Sequence, residues 1–266
     1  MMTNLVLGLI VGAILAFTGA GGGILAVPAL VFGAHLGVAQ AGPIGLLAVG
    51  MAAALGAMLG LKAKIVRYKA ATLVAVTGML LSPFGLWLAH RIDNRLLGVL
   101  FALVLLYVAQ KTFRQAKGKQ PAAVQECDRD LPCIRDAGTG RFIWTARCAR
   151  ALSFSGAIAG LLSGLLGVGG GFVMVPALRR FTDLDMQSTV ATSLAVIALV
   201  SLTGVLTSAA AGVMAWAVAI PFSIGALVGM VGGRVVADKL HGPHLQIGFA
   251  AVSAAVAVGM IARSIA

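Results

Sequence analysis

Two short glycine-rich blocks are the part of this sequence best suited to chemistry. Each has three consecutive glycines and a proline five residues later: Gly21, Gly22, Gly23 and Pro28 in the first block, and Gly169, Gly170, Gly171 and Pro176 in the second. Consecutive glycines weaken a helix by roughly 1 kcal/mol each and proline removes a backbone donor, so each block predicts a broken helix. A half-helix that begins at such a break presents free N–H groups and the positive end of its dipole, which together bind oxyanions. We interpret the blocks as an anion-binding site; the alternative is that the glycines only allow close helix packing.

The two blocks belong to a longer internal repeat. A shift of 148 residues places residues 19–30 on residues 167–178 without a gap, and eight of these twelve positions are identical. Three glycines and a proline at a fixed spacing make this match specific, so the sequence predicts two copies of one helical unit. The predicted organisation is a first transmembrane repeat over 1–113, a linker over 114–149 and a second transmembrane repeat over 150–266.

The elements that carry these blocks are predicted to be membrane-spanning helices. Hydrophobic residues make up 60% of the chain and charged residues 11%, which excludes an ordinary soluble enzyme and a disordered chain. The uncharged run 186–233 is long enough to cross a bilayer twice,. We expect an all-α integral membrane protein in which each repeat has a glycine-broken helix or re-entrant hairpin and three full spans. The predicted full spans are 42–61, 70–90, 94–113, 186–207, 213–236 and 243–262.

The placement of charge predicts the orientation of the repeats. Segment 111–150 carries nine Lys or Arg residues and four acids and has no long apolar run, which is typical of a cytoplasmic linker,. If the repeats are inverted, four further basic residues lie on the same side and only Arg263 lies outside. Those four are Arg179, Arg180, Arg234 and Lys239. Parallel repeats would place these four residues outside and only Arg263 inside, so the positive-inside rule favours inverted repeats. No basic surface is interleaved with aromatic residues, so a nucleic-acid partner is not expected.

The remaining reactive residues do not predict catalysis. No Ser/His/Asp, paired-carboxylate or metal-ligand arrangement stands out, so neither an enzyme nor a metal or cofactor site is expected. Cys127, Cys133 and Cys148 all fall in the linker, at a spacing that does not match a four-ligand zinc site,. A cytoplasmic compartment disfavours a structural disulfide, so we expect free thiols, with a thiol sensor or sulfur relay as the alternative. Residues 1–4 carry no positive charge, so no secretory signal is expected,.

The repeated block resembles a known family. Two copies of the pattern G-x-G-G-G-x-x-x-V-P-x-L, each opening a hydrophobic half of the chain, resemble the TauE/SafE family. That family is also called the sulfite exporter or toluene-sulfonate uptake permease family. The stretch QSTVATSL at 187–194 also resembles a segment found after the second block in the family. The first repeat departs from this pattern, with QAGPIG at 40–45 in the equivalent place, and the linker is unusually long.

The resemblance implies a function and a location. It implies a multi-pass transporter of the bacterial inner membrane that moves a small anion, sulfite or an organosulfur anion such as a sulfonate, by alternating access. It also adds Thr192 and Ser193 to the predicted substrate-binding residues. The expected partners are the small-molecule anion and the lipid bilayer, while the exact substrate, the direction of flux, the coupling ion and a homo-oligomeric state stay open. The alternative function is a non-transporting membrane scaffold that recruits a soluble partner through the 114–149 linker.

Overall fold

The described part of the chain is entirely helical in its regular structure. The computed structural model describes residues 2–18, 23–116, 133, 145–237 and 243–265. Within these ranges the chain forms ten α-helices: α1 (Met2–Thr18), α2 (Ala26–Gly33), α3 (Val38–Lys62), α4 (Tyr68–Arg91), α5 (Asn94–Ala116), α6 (Ala146–Leu166), α7 (Gly171–Phe181), α8 (Met186–Ala210), α9 (Trp216–Ala237) and α10 (Pro243–Ile265).

Six of these helices are long and apolar enough to span a membrane. They are α3, α4, α5, α6, α8 and α9, each with at least 18 described residues of high mean hydropathy. A bilayer core of about 30 Å needs about 20 helical residues, so these lengths suit single crossings. Shorter apolar stretches occur in α1, α2 and α10. The prediction of an all-α, multi-pass membrane protein is confirmed.

The helices repeat with the same period as the glycine blocks. The shift of 148 residues carries Val38 onto Met186 and Lys62 onto Ala210, so α3 and α8 begin and end at equivalent positions. It also carries the last residue of α1 onto the last residue of α6, and the last residue of α2 onto that of α7. Five helices of the first half therefore correspond in order to five of the second.

Two seams of small residues join the halves. In the first seam, a Cβ added to Gly8 or Gly12 of α1 would collide with the α9 backbone at Phe222 or Ala226. In the second seam, Gly156, Gly160 and Gly164 of α6 are equally close to the α4 backbone at Val74, Gly78 and Ser82. Residue numbers rise together in both pairs, so α1 runs parallel to α9 and α6 runs parallel to α4. Only glycine allows two helix backbones to approach this closely.

The central pair, α3 and α8, runs antiparallel. A Cβ added to Gly50 would lie 2.8 Å from Ser201 Cβ, and one added to Gly60 would lie 3.0 Å from Ala191 Cβ. A Cβ added to Gly204 would meet Leu46 at 2.8 Å, so numbers in α3 rise as those in α8 fall. These two helices are the most buried of the six long helices. Equivalent helices of the two halves thus cross the core in opposite directions.

Each short half-helix folds back along the helix before it. A Cβ added to Gly33, at the end of α2, would collide with the side chain of Leu7 in the first half of α1. In the second half, Cys133 bridges the start of α6 and the end of α7, because it bonds Cys148 and its N–H donates to the Phe181 carbonyl at 3.2 Å. The two helices that begin each half therefore pack side by side as a hairpin, and in the second half the glycine block forms the bend.

The cysteines of the linker correct one expectation. Cys133 and Cys148 form a disulfide and are fully buried, whereas free thiols were expected there. The expectation rested on compartment and spacing alone, and neither reveals that the backbone of Cys133 pairs with Phe181 and Thr182 next to the α6 N-terminus. Cys127 lies outside the described residues.

Candidate anion-binding site at the glycine breaks

The second glycine block separates α6 from α7. Gly167, Gly169 and Gly170 have φ angles of +71°, +75° and +68°. Residues with a Cβ rarely adopt this left-handed conformation, so glycine is what lets the chain turn here without strain. α7 then begins at Gly171, directly after its N-cap Gly170. The predicted break at 169–171 is present.

The first glycine block is partly described. Gly21 and Gly22 lie outside the described residues, and Gly23 begins a single 3₁₀ turn that leads into α2. Pro28 is buried in the first turn of α2, where its missing N–H removes no helical hydrogen bond,. Pro176 lies in the interior of α7, so the carbonyl of Phe172 has no helical donor four residues later,. Both half-helices therefore contain the predicted proline, but it lies in the first turn of α2 and further along the helix in α7.

The two blocks meet near the midpoint of the central helices. A Cβ added to Gly23 would lie 2.9 Å from Val49 Cγ1 and 3.3 Å from the carbonyl oxygen of Val168. A Cβ added to Gly169 would lie 3.4 Å from the same Val49 methyl and 2.9 Å from Ile197 Cγ2. Val49 and Ile197 lie near the centres of α3 and α8, which have 25 residues each. Gly23 and the bend of the second hairpin therefore meet between the two central helices.

Unpaired backbone donors collect at the second break. Val173 and Met174 both donate their N–H groups to the Gly170 carbonyl at 3.1 Å, which closes the first turn of α7. The N–H groups of Gly169 and Gly170 have no acceptor among the described residues. The α7 N-terminus adds the positive end of a helix dipole at the same place. Residues 1–61, 151–178 and 186–233 contain no charged residue, so no carboxylate on the surrounding spans opposes an anion.

The described glycines of both blocks are buried. Gly23 and residues 167–171 are shielded by neighbouring helices. Two cavities lined by described residues lie elsewhere, one on the surface of α4 and α6 beside Thr77 and Phe154, the other beside His35 and Asn94. Among the described residues, the glycines of the break are therefore packed against neighbouring helices and line neither of these two cavities.

Thr192 and Ser193 lie in α8 with their hydroxyls already engaged. Both side chains are fully buried. Thr192 Oγ1 accepts a hydrogen bond from the Arg67 N–H at 3.1 Å, and Ser193 Oγ donates to the Val190 carbonyl at 2.8 Å. The first bond attaches the α3–α4 loop to α8, and the second is local to the helix. Their predicted contact with substrate remains a prediction.

Ser201 is a candidate that sequence reasoning did not single out. Its Oγ is buried, has no hydrogen-bond partner among the residues that the structure describes, and lies 3.2 Å from the position that a Cβ would take at Gly169. One signal in the sequence could have found it. Under the shift of 148 residues Ser201 aligns with Ala53, so the second repeat has a hydroxyl where the first has a methyl group. No group of three His, Cys, Asp or Glu that could hold a metal occurs in the part of the chain that the structure describes.

Two five-helix halves, with broken elements meeting inside a bundle of membrane-length helices, define the chain as a multi-pass membrane protein of the repeat-built transporter class. The chain belongs to the TauE/SafE sulfite exporter family, since the family model described as "Sulfite exporter TauE/SafE" matches residues 4–260.

Curated relatives agree with this class. The chain is 26% identical over 248 residues to the "Probable membrane transporter protein YunE" of Bacillus subtilis (strain 168), covering 89% of this chain and 88% of that protein. It is 28% identical over 260 residues to a "Probable membrane transporter protein" of Xylella fastidiosa (strain 9a5c), covering 96% of this chain and 92% of that protein. No solved structure matches the chain.

Proposed function

We propose that the protein transports a small anion, sulfite or an organosulfur anion such as a sulfonate, by alternating access around the two glycine breaks. The observation that carries this proposal is the meeting of Gly23 and the second break between α3 and α8, where the N–H groups of Gly169 and Gly170 have no acceptor among the described residues. An oxyanion accepts several such donors at once, and these spans lack the carboxylates that commonly mark proton and cation pathways. The family description, which names a sulfite exporter, supports sulfur oxyanions as the first substrates to test.

The burial of the breaks fits a cycle of alternating access. A transporter must exclude both aqueous phases from its site at one stage, and non-helical backbone at membrane depth is stable only when protein buries it or it lines a cavity. The closed arrangement around Gly23 and Gly169 is that stage in our proposal. Opening requires α6 and α7 to move relative to α3 and α8, with Gly167, Gly169 and Gly170 as the flexible joint.

We further propose that the repeats are inverted across the bacterial inner membrane, with the linker in the cytoplasm. Inversion requires equivalent helices to run in opposite directions, as α3 and α8 do,. The basic residues support the sidedness. Ten described ones lie toward the linker: Lys62, Lys64, Arg67, Lys69, Lys111, Arg114, Arg147, Arg150, Arg179 and Arg180. Arg91 and Arg95 lie at the opposite end, and the positive-inside rule makes the richer side cytoplasmic.

The transport proposal is tested by adding one methyl group at the break. In Gly169→Ala, the new Cβ would lie 2.9 Å from Ile197 and 3.2 Å from Ser201 Oγ, where we place the ligand. We expect at least a tenfold loss of sulfite flux in proteoliposomes made from the purified full-length chain. Membrane insertion should persist, because a left-handed alanine costs only about 1–2 kcal/mol.

Gly212→Ala is the matched control. Gly212 has a φ of +69°, close to that of Gly169, but a Cβ there has no atom within 4 Å. Both variants therefore carry the same backbone strain, and only Gly169→Ala fills the break. Equal flux in the two variants would refute the site, and a wild-type protein that moves neither sulfite nor sulfonates would refute the proposed substrate class.

The inverted orientation is tested at two equivalent loops. Ala63 and Ala211 are both exposed and occupy equivalent positions of the repeat of 148 residues. In a background without native cysteines, Ala63→Cys should react with a membrane-impermeant maleimide only from the cytoplasmic side, and Ala211→Cys only from the other side. Parallel repeats would make both cysteines reactive from the same side.

A further inference from the structure

Ser201 carries a buried hydroxyl whose hydrogen-bonding capacity is unused. Its side chain is fully buried in α8 and its Oγ has no hydrogen-bond partner in the described part of the chain. Other hydroxyls of the same helix donate to a carbonyl three or four residues earlier, namely those of Ser193, Thr203, Thr207 and Ser208. Serine and threonine in helices commonly make this local bond. Ser201 therefore departs from the behaviour of its own helix, and a buried donor without a partner is unfavourable unless something else satisfies it.

The unpaired hydroxyl lies at the second glycine break. Ser201 Oγ is 3.2 Å from the position that a Cβ would occupy at Gly169 and 3.5 Å from the corresponding position at Gly50. The N–H groups of Gly169 and Gly170 also lack acceptors among the described residues. Ser201 Oγ therefore lies beside Gly169, where α3, α8 and the second hairpin bend meet, and Gly170 follows in the chain with its Cβ position against Ala159 of α6.

We propose that Ser201 coordinates the substrate, donating its hydroxyl hydrogen to one oxygen of an oxyanion while the N–H groups of Gly169 and Gly170 donate to the others. This inference rests on the proposed transport function and explains how the site would select an anion with three oxygens. Sulfite and alkylsulfonates each present three oxygens on one sulfur, which matches three donors. The absence of charged residues from 186–233 and 151–178 leaves the hydroxyl and amides to carry recognition on these elements.

A purely steric role for Ser201 makes a different prediction. Space beside Gly50 and Gly169 demands a small residue, and alanine meets that demand as well as serine does. The equivalent residue of the first repeat is Ala53, which is fully buried in α3. A steric role is therefore preserved in Ser201→Ala, whereas a coordinating role is lost.

The test compares substrate affinity with turnover in Ser201→Ala. We expect the KM for sulfite and for methanesulfonate to rise about tenfold or more, as loss of a hydrogen bond to a charged group implies. The maximal rate should change much less, and sulfite should protect the purified variant against thermal unfolding less than it protects wild type. Ser201→Cys, which keeps the size and offers a weaker donor, should give an intermediate KM.

Two variants control for the loss of a hydroxyl in general. Ser208→Ala removes a hydroxyl from the same helix whose bond to the Gly204 carbonyl is local, and Ser223→Ala removes another buried, unpartnered hydroxyl, from α9. Both should keep the wild-type KM for sulfite.

The outcomes separate this inference from the function on which it rests. If wild type transports sulfite, Gly169→Ala does not, and Ser201→Ala has a wild-type KM, then the coordinating role of Ser201 is wrong and the proposed function stands. If wild type neither transports nor is stabilised by sulfite or methanesulfonate, the proposed function and the role of Ser201 are both overturned. A raised KM in Ser201→Ala with unchanged controls supports both.

Discussion

The central helices α3 and α8 are equivalent in position, yet only α8 contains hydroxyl side chains. Each has 25 residues, and they cross antiparallel at the core. α3 contains no serine or threonine, whereas α8 contains eight. Ile44 and Ala53 of α3 correspond to Thr192 and Ser201 of α8. The two halves therefore share what packing requires, and they differ in the groups that could hold a polar ligand.

The seams between the halves, unlike the central helices, have the same kind of residue at equivalent positions. Gly8 and Gly12 of α1 correspond to Gly156 and Gly160 of α6, and all four lie against the backbone of a helix from the other half. Without water between helices, such close contacts rather than hydrophobic burial hold membrane helices together. Packing is thus symmetric in this protein while the candidate chemistry is one-sided.

Breaking a seam is expected to have the largest effect. A Cβ at Gly229 would collide with the Leu9 carbonyl of α1, whereas Gly232, three residues later in α9, has no atom within 4 Å of its Cβ position. We predict that Gly229→Leu yields no monodisperse protein after detergent extraction, because overpacking a close contact costs about 1–3 kcal/mol or more. Gly232→Leu should elute and melt like wild type. Size-exclusion chromatography and tryptophan-monitored unfolding measure both.

Because the two seams are alike, the same experiment can be made in the second seam. Gly156→Leu, in the seam between α6 and α4, should fail as Gly229→Leu does, since its Cβ would collide with the backbone of Val74. Normal elution and melting of Gly229→Leu would show that α1 and α9 do not pack through this glycine. A stable Gly156→Leu beside an unstable Gly229→Leu would show instead that the seams are unequal.

Much of the fold follows from local features of the sequence. Uncharged apolar runs predicted the spans, and α3, α4, α5 and α8 overlap their predicted ranges closely. The break at Gly169–Gly171 was predictable because the conformational preferences of consecutive glycines act within a few residues. The period of 148 residues in the sequence reappears in the helix ends because equivalent residues impose equivalent local structure.

Features that depend on packing between distant elements were not predictable. No pattern in the sequence pairs α1 with α9 or places Cys133 against Phe181, since both depend on how the halves dock. Thr192 and Ser193 were predicted from family resemblance, yet their hydroxyls bond to Arg67 and Val190. The unpaired state of Ser201 depends on where α8 meets the hairpin bend, which a single helix sequence does not encode.

Moving a hydroxyl between the central helices tests whether the halves are interchangeable. The double variant Ser201→Ala with Ala53→Ser keeps the number of hydroxyls and shifts one to the equivalent position of α3. Ala53 lies three residues beyond Gly50, which faces Ser201, so the new hydroxyl is displaced by about 4.5 Å along the helix axis,. Hydrogen bonds do not tolerate that displacement. We predict that the KM for sulfite stays about tenfold above wild type in flux assays, as in Ser201→Ala alone.

Recovery of the wild-type KM would change how the difference between α3 and α8 is interpreted. A double variant that recovers the wild-type KM would mean that both breaks contact the ligand equally and that the asymmetry of hydroxyls has no functional meaning. Ala53→Ser alone is the control, and it should leave the KM unchanged if the added hydroxyl bonds a carbonyl of its own helix.

The disulfide is expected to affect transport least, although it marks a further difference between the halves. Among the described residues, the linker is attached to the second half-helix, α7, through Cys133, whose N–H donates to Phe181. The bond closes a loop with a sequence separation of 15 residues, which corresponds to about 3 kcal/mol in the loop-entropy account,. We predict that Cys148→Ser lowers the melting temperature of oxidised protein by several degrees and leaves sulfite flux within about twofold of wild type.

Reduction decides whether this stabilisation acts in cells. The bond lies on the basic side that we assign to the cytoplasm, where thiols are normally kept reduced. Dithiothreitol should therefore bring the melting temperature of wild type down to that of Cys148→Ser, while Cys127→Ser, which leaves the bonded pair intact, melts like wild type under both conditions. A Cys148→Ser protein as stable as oxidised wild type would mean that the bond contributes nothing. A large loss of flux in that variant would mean instead that α7 needs its attachment to the linker, and the second half would then differ from the first in mechanism as well as in polarity.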